Sequence, residues 1–290
     1  MPDRRVPAVL SIAGSDSGGG AGIQADLKAF ARCGVHGMTA ITALTAQNTT
    51  GVSAVHAVPP AMIVEQVRQV AEDIGVDAVK IGMLGTAETV GAVREALGLL
   101  EPGTPIVIDP VMVAESGAVL LDDPARAALV EQLLPLATLI TPNLPEARVL
   151  AASEGAEDDA ETLARTLHRL GPQAVVVTGG HREQVVDVFF DGEVLERLSG
   201  PRHADGAAHG SGCTHSSALA AHLALGYRPL EAAQQAKRIA AEAVANGLRH
   251  IGHGAGPVNA LGAVVRQLTD LRTPTSDWPG RTTPRDIMRP

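Results

Sequence analysis

The short stretch His209-Gly-Ser-Gly-Cys-Thr214 carries residue types that are well suited to chemistry. Gly210, Ser211 and Gly212 precede a run from Ser217 to Leu225 that is typical of a helix. The first N–H groups of such a helix lack backbone partners and can bind an anion such as phosphate. Cys213 lies in the same turn, where a helix N-terminus would lower its pKa towards the thiolate. The turn therefore predicts phosphoryl chemistry, although ordinary loop glycines beside a small buried cysteine would look the same.

Polar side chains also follow several apolar runs that are rich in β-branched residues. Asp109 ends one such run, Asn143 and Glu146 follow a second, and Thr178 ends a third. If these runs are parallel strands, their carboxyl ends meet at one edge of the sheet, where α/β proteins bind ligands. Asp109 and Glu146 supply hard oxygen ligands of the kind that Mg²⁺ prefers. Each acid alone would be typical of a solvated loop, but their shared position beside an anion-binding turn favours a magnesium site.

These parts together satisfy the needs of phosphoryl transfer from ATP. The reaction requires Mg²⁺, hydrogen-bond donors for the transferred group and an acceptor for the proton of the attacking hydroxyl. The turn supplies donors, and a Cys213 thiolate would accept the proton. A covalent nucleophile is the competing role for Cys213, as in a cysteine transferase or hydrolase. That role requires a histidine partner, for which His209 and His215 are both available in the sequence.

The composition argues against several classes of function. The 290 residues are only 2% aromatic and carry a formal charge of −9. Aromatic platforms for single-stranded nucleic acid and a basic surface for nucleic acid or anionic membranes are therefore not expected. Two cysteines do not form a disulfide framework, which indicates a reducing compartment. Neither a signal-type apolar segment nor an apolar run of 18 residues occurs, so we expect a cytoplasmic protein with no membrane partner.

The first elements of the chain are a strand, a glycine-rich loop and a helix. Residues 6–13 are apolar, Gly14–Gly22 form the loop, and apolar residues recur at helical spacing over 23–33. The Walker A pattern fails because the glycines are not followed by Lys-Ser or Lys-Thr. The dinucleotide pattern fails too, because it requires an acid about 20 residues on and no acidic residue occurs between Asp26 and Glu65. The glycines of this loop must serve another purpose.

Strand-like and helix-like segments alternate through most of the remaining chain. An Asp191-Gly192 pair predicts a β-hairpin, and helices are expected over 59–70, 86–100, 122–134, 159–170, 216–225, 230–248 and 258–268. Because several strands are apolar on both faces, the pattern predicts one α/β domain with a mainly parallel central sheet and helices on both faces. We expect the domain to span residues 1–270. The Pro-, Thr- and Arg-rich remainder, 271–290, is expected to be a flexible tail.

Seven motifs in order along the chain resemble those of one family. They are Ile12-Ala-Gly-Ser-Asp-Ser-Gly-Gly-Gly-Ala-Gly-Ile-Gln-Ala-Asp-Leu-Lys28, Thr45-Ala-Gln-Asn-Thr49, Lys80-Ile-Gly-Met-Leu84, Asp109-Pro-Val-Met112, Thr141-Pro-Asn-Leu-Pro-Glu146, Gly179-Gly-His181 and Gly210-Ser-Gly-Cys-Thr214. From about Val9 to Leu261 the chain resembles the hydroxymethylpyrimidine/phosphomethylpyrimidine kinases of the ribokinase-like superfamily. The resemblance implies a three-layer ribokinase-like sandwich. It also implies an enzyme of thiamine biosynthesis that uses ATP and Mg²⁺ to phosphorylate 4-amino-5-hydroxymethyl-2-methylpyrimidine and then its monophosphate.

The resemblance also implies roles for individual residues. The pyrimidine pocket would contain Gly14, Ala21, Asp26, Gln47, Met83 and Met112. The nucleotide would contact Asn143, Glu146, Thr178, Gly180 and Thr214, with adenine near 246–258. Cys213 would take the position of the catalytic aspartate of the superfamily's sugar kinases, which favours the proton acceptor over the nucleophile.

Two residues depart from the family pattern, and two alternative functions are considered. Glu115 stands where members often have lysine, which weakens a phosphate contact by that loop, and His215 stands where an apolar residue is common. A pyridoxal or pyridoxine kinase, or a dual-specificity enzyme, is the nearest alternative. A binding protein that has lost catalysis is a more distant one. A homodimer that pairs through the predicted strand at 51–58 is also expected.

Overall fold

The computed structural model describes residues 6–113, 117, 119–152, 159–179, 185–203 and 207–262. The strands are β1 Ala8–Asp16, β2 His36–Asn48, β3 Gly51–Ala57, β4 Ala78–Ile81, β5 Ile106–Ile108, β6 Leu139–Ile140, β7 Ala174–Val177, β8 Val185–Phe190 and β9 Leu195–Gly200. The helices are α1 Gly22–Arg32, α2 Pro60–Asp73, α3 Ala87–Leu97, α4 Asp123–Ala128, α5 Leu144–Leu150, α6 Ala160–His168, α7 Ser211–Ala224 and α8 Pro229–Ala245. The expected tail, 271–290, and the predicted domain end at 270 both lie outside the described residues.

Within the described residues the strands form one sheet in the order β3-β2-β1-β4-β5-β6-β7-β8-β9. The pairs from β2 through β7 are parallel. The two edges are antiparallel, where β3 pairs with β2, and β8 pairs with β7 and β9. The predicted hairpin at Asp191-Gly192 is the β8–β9 connection. The prediction of a mainly parallel sheet is therefore confirmed.

Alternate residues of the buried strands pack into two separate apolar layers. In β7, Val175 and Val177 contribute to the layer that contains residues of α2, α3, α4, α5 and α6. Ala174 and Val176 contribute to the opposite layer, which contains Phe30 and residues of α7 and α8. Strands that are apolar at every position thus serve both faces of a sandwich, as the sequence pattern predicts. No helix in the described ranges is long and apolar enough to cross a bilayer.

The observed elements differ from the predicted ones in three places. Helix α7 begins at Ser211 rather than at 216, with Gly210 in the left-handed conformation at its N-cap. The predicted helix over 122–134 changes at residue 129 into a π-helical turn and then a 3₁₀ turn, next to Pro135, which has no N–H to donate. Residues 258–262 of the predicted last helix are turns and extended chain.

Tertiary hydrogen bonds hold the described residues 257–259 in a non-helical path. The backbone N–H of Val258 donates to the His209 carbonyl at 3.0 Å, and that of Asn259 donates to Ala243 at 2.9 Å. These bonds, together with that from the Leu248 N–H to the Pro257 carbonyl at 2.8 Å, fix the path of the segment; that carbonyl would be the first acceptor of a helix beginning at residue 258. They also hold residues 257–260 against the turn that opens α7, so this segment supports the candidate site.

Candidate active site

A cavity of about 460 Å³ lies at the carboxyl ends of the parallel strands. The predicted site residues that line it are Gly14, Ala21, Gln47, Met83, Asp109, Asn143, Glu146, Thr178, Gly210, Ser211, Gly212 and Cys213. They come from the carboxyl ends of β1 and β2, from the loops after β1, β4, β5, β6 and β7, and from the starts of α5 and α7. Residues far apart in sequence therefore meet as expected from the strand-end rule for open sheets. Gly180 lies outside the described residues.

Three predicted ligand-binding residues are not among those that line the cavity. Asp26 is fully buried, and its carboxylate accepts hydrogen bonds from Ser11, Lys80 and Ser217. Met112 packs in the apolar layer formed with α2 to α6, and Thr214 is fully buried within α7. That these side chains contact the pyrimidine or the nucleotide stays a prediction, and in this structure protein surrounds all three.

The Gly210–Cys213 turn packs directly on the glycine-rich loop after β1. Gly210 has φ of 83°, and a Cβ added there would lie 1.8 Å from the carbonyl oxygen of Gly20. Only glycine permits both this left-handed conformation and this approach of two backbones. The glycines of the first loop, which fit neither familiar nucleotide pattern, thus allow the two turns to pack closely together.

Asp16 connects these two turns through its carboxylate. Oδ1 accepts from the N–H of Gly18, and Oδ2 accepts from those of Gly20 and Ala21 at 3.0 and 2.8 Å. The Nε2 atom of His209, one residue before the second turn, lies 3.1 Å from Oδ2. Burial works against the charge of Asp16, but the bonds from His209, Ala21 and Gly18 outweigh it and lower the pKa of its carboxyl. A charged Asp16 therefore holds the two turns in one arrangement.

A buried charge cluster lies beneath Cys213. The Nζ atom of Lys80, on β4, is 2.9 and 3.0 Å from the carboxylate oxygens of Asp26, and both side chains are fully buried. Ser217 of α7 donates to Asp26 at 2.8 Å, and Ser216 donates to Asp109 at 2.9 Å. Burial opposes the charge of Lys80, but the acids around it, Asp26 above all, raise its pKa above the ordinary value. The ammonium group is therefore permanently charged.

The expected low pKa of Cys213 is not observed. The residue is partly exposed, but burial raises the pKa of its thiol to about 12. Lys80 and the N–H of Gly22 favour the thiolate, whereas the negative charges of Asp26 and Asp109 oppose it. The prediction that the helix N-terminus alone lowers this pKa is wrong here, because desolvation and two nearby acids outweigh it. The thiol is neutral at physiological pH.

The histidines that could activate Cys213 as a nucleophile have other surroundings. His209 interacts with Asp16, and neither ring nitrogen of His215 has a hydrogen-bond partner in the described part of the chain. A hydrogen-bonded cysteine–histidine pair is therefore not formed by these described residues, which removes support for a cysteine hydrolase or transferase.

Asp109 and Glu146 form a pair of acids at the centre of the cavity. Burial raises the pKa of the Asp109 carboxyl. Burial and the charge of Asp109 together raise the pKa of Glu146 to about 7. Glu146 also closes a capping box at the start of α5, where it accepts from the N–H of Asn143 and donates its own N–H to the Asn143 side chain. Two carboxylates that repel one another in this cavity are a fitting site for a divalent cation.

A polar group at the other end of the cavity is not among the site residues predicted from the sequence. Lys237 of α8 donates to Asp187 of β8 at 2.7 Å, and the N–H of Gly179 donates to the same carboxylate oxygen at 2.9 Å. His215 of α7 faces the second oxygen, with its Nε2 atom 3.9 Å away. All three side chains line the cavity.

Some of the missed residues leave a signal in the sequence. Lys80 interrupts the apolar run Asp77-Ala-Val-Lys-Ile-Gly-Met83, and a buried lysine requires an acid as partner. Asp187 lies in the apolar strand Val185–Phe190 in the same way. These patterns indicate that a partner exists, but which residue it is depends on the fold. Asp26 is distant in sequence from Lys80, and Lys237 is distant from Asp187.

Residues 16–259 of the chain match the family model for phosphomethylpyrimidine kinase. A hydroxymethylpyrimidine/phosphomethylpyrimidine kinase of Rhizobium meliloti is 49% identical over 255 residues, which cover 86% of this chain and 95% of that protein. A bifunctional thiamine biosynthesis protein of Geobacter sulfurreducens is 47% identical over 266 residues, 89% of this chain, and the chain spans 54% of that longer protein. Among solved structures, pyridoxal kinase from Staphylococcus aureus in complex with AMP-PCP and pyridoxal aligns with a TM-score of 0.81 at 34% identity, covering 89% of this chain and 95% of that one.

The buried ion pair generates a prediction about stability. Replacing Lys80 with Met leaves the Asp26 carboxylate buried without its cation, so we expect the free energy of unfolding to fall by about 3–5 kcal/mol. The double variant Lys80→Met/Asp26→Asn should regain most of this loss, because no unpaired charge remains. Urea unfolding followed by circular dichroism measures both.

The matched control is Lys28→Met, the same change at a partly exposed lysine whose Nζ atom donates to the Gly19 carbonyl. We expect it to cost about 1 kcal/mol or less. Equal losses for the two lysine variants would contradict the role given to the Lys80–Asp26 pair.

Proposed function

The chain belongs to the phosphomethylpyrimidine kinase family, and on that premise we propose that it phosphorylates 4-amino-5-hydroxymethyl-2-methylpyrimidine and then its monophosphate, with ATP as the donor. In the first reaction the bond between the γ-phosphorus and the bridging oxygen of ATP breaks, and the hydroxymethyl oxygen bonds to that phosphorus. The hydroxyl proton passes to a base, and ADP leaves. The observation that carries this proposal is a single cavity whose anion-binding turn lies between two chemically different ends.

One end of the cavity suits a small heteroaromatic ring. Gly14 and Gln47 lie near the carboxyl ends of β1 and β2, and Met83 follows β4; these three strands are neighbours in the sheet. The Gln47 amide can both donate to and accept from an aminopyrimidine, and its Oε1 atom is oriented by the Thr45 hydroxyl at 3.1 Å. The Met83 thioether packs beside Gly14, where a Cβ would lie 3.1 Å from its sulfur, and can lie against the ring. We assign the pyrimidine to this end.

The other end suits the nucleotide. Thr178 follows β7, and Asp187 and Lys237 belong to β8 and α8, several strands away across the sheet. With strands about 4.8 Å apart, the distance from β2 to β8 is roughly 25–30 Å, which accommodates a ring substrate and ATP end to end. The Gly210–Cys213 turn lies between them, so its N–H groups would stabilise charge on the transferred phosphoryl group.

Asp109 and Glu146 are the residues that would hold Mg²⁺. The donor set fits, because Mg²⁺ is commonly bound by one or two carboxylates, several waters and the phosphates of the substrate. A bound cation would also relieve the mutual repulsion that raises the pKa of Glu146. When present, it neutralises charge on the phosphates of ATP.

Cys213 is the group that we assign as proton acceptor. Its thiol lies in the turn, with Lys80 and the Gly22 N–H favouring the thiolate. With a pKa of about 12, only about 10⁻⁴ of the thiol is ionised at pH 8 in the free protein. The small thiolate fraction would therefore limit the rate of the reaction at neutral pH. The rate would increase as the pH, and with it the thiolate fraction, rises.

We place the enzyme in the cytoplasm as a homodimer. Both cysteines are free thiols, which suits a reducing compartment. β3 is an outermost strand of the sheet, and its Val55 side chain is 51% exposed, so this edge offers backbone groups and an apolar side chain to a second copy.

Phosphorylation of pyridoxal is the second candidate function. The likeness to a pyridoxal kinase structure with a TM-score of 0.81 favours it, whereas the higher identity to pyrimidine kinases, 47–49%, favours the first.

Parallel assays with ATP test the substrate. We expect kcat/KM for the pyrimidine alcohol to exceed that for pyridoxal by about tenfold or more, because Gln47 pairs with groups that pyridoxal lacks. Gln47→Leu should lower the value for the pyrimidine more than for pyridoxal. A preference of the unaltered enzyme for pyridoxal would overturn the first reading, and no ATP turnover with either would overturn both.

A pH–rate profile tests Cys213. If its thiolate accepts the proton, kcat should rise about tenfold per pH unit between pH 7 and 10, since the pKa lies above this range. Cys213→Ala should lower kcat by roughly 10² or more and remove the slope. Cys33→Ala, the same change outside the cavity, should leave both unaltered. A flat profile for the unaltered enzyme would rule out the thiolate, and a covalent adduct on Cys213 by mass spectrometry would instead support a nucleophile.

The Mg²⁺ requirement tests Glu146. Glu146→Gln removes the charge but keeps a side chain that can close the capping box, so we expect a folded enzyme that needs at least about tenfold more Mg²⁺ for half-maximal rate. Pyrimidine binding should be unaffected. The control is Glu72→Gln on the exposed side of α2. An unchanged Mg²⁺ dependence in Glu146→Gln would contradict the assignment.

A further inference from the structure

His215 is a buried histidine whose hydrogen-bonding groups are not used by the described protein. Its side chain lines the cavity from the first turns of α7. Only 4% of the residue is exposed, yet neither Nδ1 nor Nε2 has a hydrogen-bond partner within the described ranges. Burying an unpaired polar group costs about 1–3 kcal/mol. A position that bears this cost inside a cavity points to a ligand that satisfies it.

The neighbours of His215 define the polarity of its surroundings. Asp187 lies 3.9 Å from Nε2, and its other oxygen is already bonded to Lys237 and to the Gly179 N–H. Burial is the main reason that the pKa of His215 lies below its ordinary value, and Lys237 adds to this effect. The ring is therefore neutral and offers one N–H donor. The Lys237 ammonium lines the cavity beside it.

The position of His215 in α7 indicates which part of a nucleotide it can reach. It follows Cys213 by two residues, so the two Cα atoms are about 5–6 Å apart on the helix. Phosphoryl transfer is assigned to the turn at Cys213, and the remaining phosphates of the nucleotide adjoin that point. Of the ring-binding residues, Gln47 lies in β2 and Met83 follows β4, six and four strand positions from β8, whose Asp187 faces His215.

We propose that His215 is a nucleotide-binding residue that donates a hydrogen bond to the polyphosphate of ATP and ADP, beside Lys237. This inference rests on the proposed function, which makes ATP the phosphoryl donor. It assigns a role to a histidine that stands where the family often carries an apolar residue, and it gives this chain a phosphate contact that an apolar side chain cannot make.

The substitution His215→Leu separates binding from stability. Leucine fills a similar volume without an unpaired polar group, so the variant should unfold at the same temperature as the unaltered protein or higher. We expect its Kd for ADP to rise about tenfold, the usual effect of losing a hydrogen bond to a charged group. Calorimetric titrations with ADP, inorganic tripolyphosphate and adenosine measure the binding. The loss should appear with ADP and tripolyphosphate, while adenosine binds within about twofold of the unaltered protein.

Two further variants sharpen the test. His222→Leu is the matched control, because His222 is a buried histidine of the same helix whose Nδ1 atom pairs with the Ala218 carbonyl and which does not line the cavity. It should leave all three affinities unchanged. His215→Gln keeps a donor and should bind ADP within about threefold of the unaltered protein.

Each other outcome is decisive. ADP binding by His215→Leu within twofold of the unaltered protein would overturn the inference. An equal loss of affinity for adenosine and ADP would also overturn it, because the contact would then not be with the phosphates. A lowered unfolding temperature with weakened binding of every ligand would do the same, because the role of His215 would then be structural. Failure of the unaltered protein to bind ADP or tripolyphosphate at all would overturn the proposed function itself, and the inference with it.

Discussion

The buried ion pair between Lys80 and Asp26 is the interaction on which the site depends. It joins β4 to α1, and the hydroxyls of Ser11 and Ser217 on the same carboxylate bring in β1 and α7. Desolvating two charges is costly, so such a pair persists only where the remaining lone pairs and protons are satisfied. Here that satisfaction requires four elements to meet at one point. The start of α7, and with it the anion-binding turn, is thereby held over the ends of the central strands.

The two glycine-rich turns are also held together by close contacts between elements that are distant in sequence. The loop after β1 and the turn before α7 touch backbone to backbone, which a side chain at Gly210 would prevent. Asp16 then bonds to three N–H groups of the first turn and to His209 beside the second. The glycine-rich loop after β1 and the turn assigned to phosphoryl transfer are consequently held together as one unit. Orientation of two reactants is the main contribution that a protein makes to phosphoryl transfer.

Charge is distributed unevenly along the cavity, and this unevenness gives its parts different chemistry. At the centre, Asp109 and Glu146 repel one another, and the second acid titrates near 7, which suits a cation. Beneath the turn, two acids and burial outweigh one lysine and keep the Cys213 thiol protonated. At the end assigned to the nucleotide, Lys237 pairs with Asp187, and burial keeps His215 uncharged. The placement of a few acids and the degree of burial therefore give each of these groups a different charge, which is the basis of the role proposed for each.

The residue pattern was sufficient to predict the architecture and to place several polar side chains at one edge of the sheet. Apolar runs such as Ala174–Val177 can be buried only with helices on both faces, and Asp109, Asn143 and Thr178 could be placed at one sheet edge because parallel strands end together. Ordered motifs also sufficed to indicate the family. Only the tertiary structure decided that Asp26 pairs with Lys80 instead of lining the pocket, that α7 starts at Ser211, and that the Cys213 thiol is neutral. The reason is physical: partners and pKa values depend on desolvation and on distances between residues remote in the chain, which local pattern does not encode.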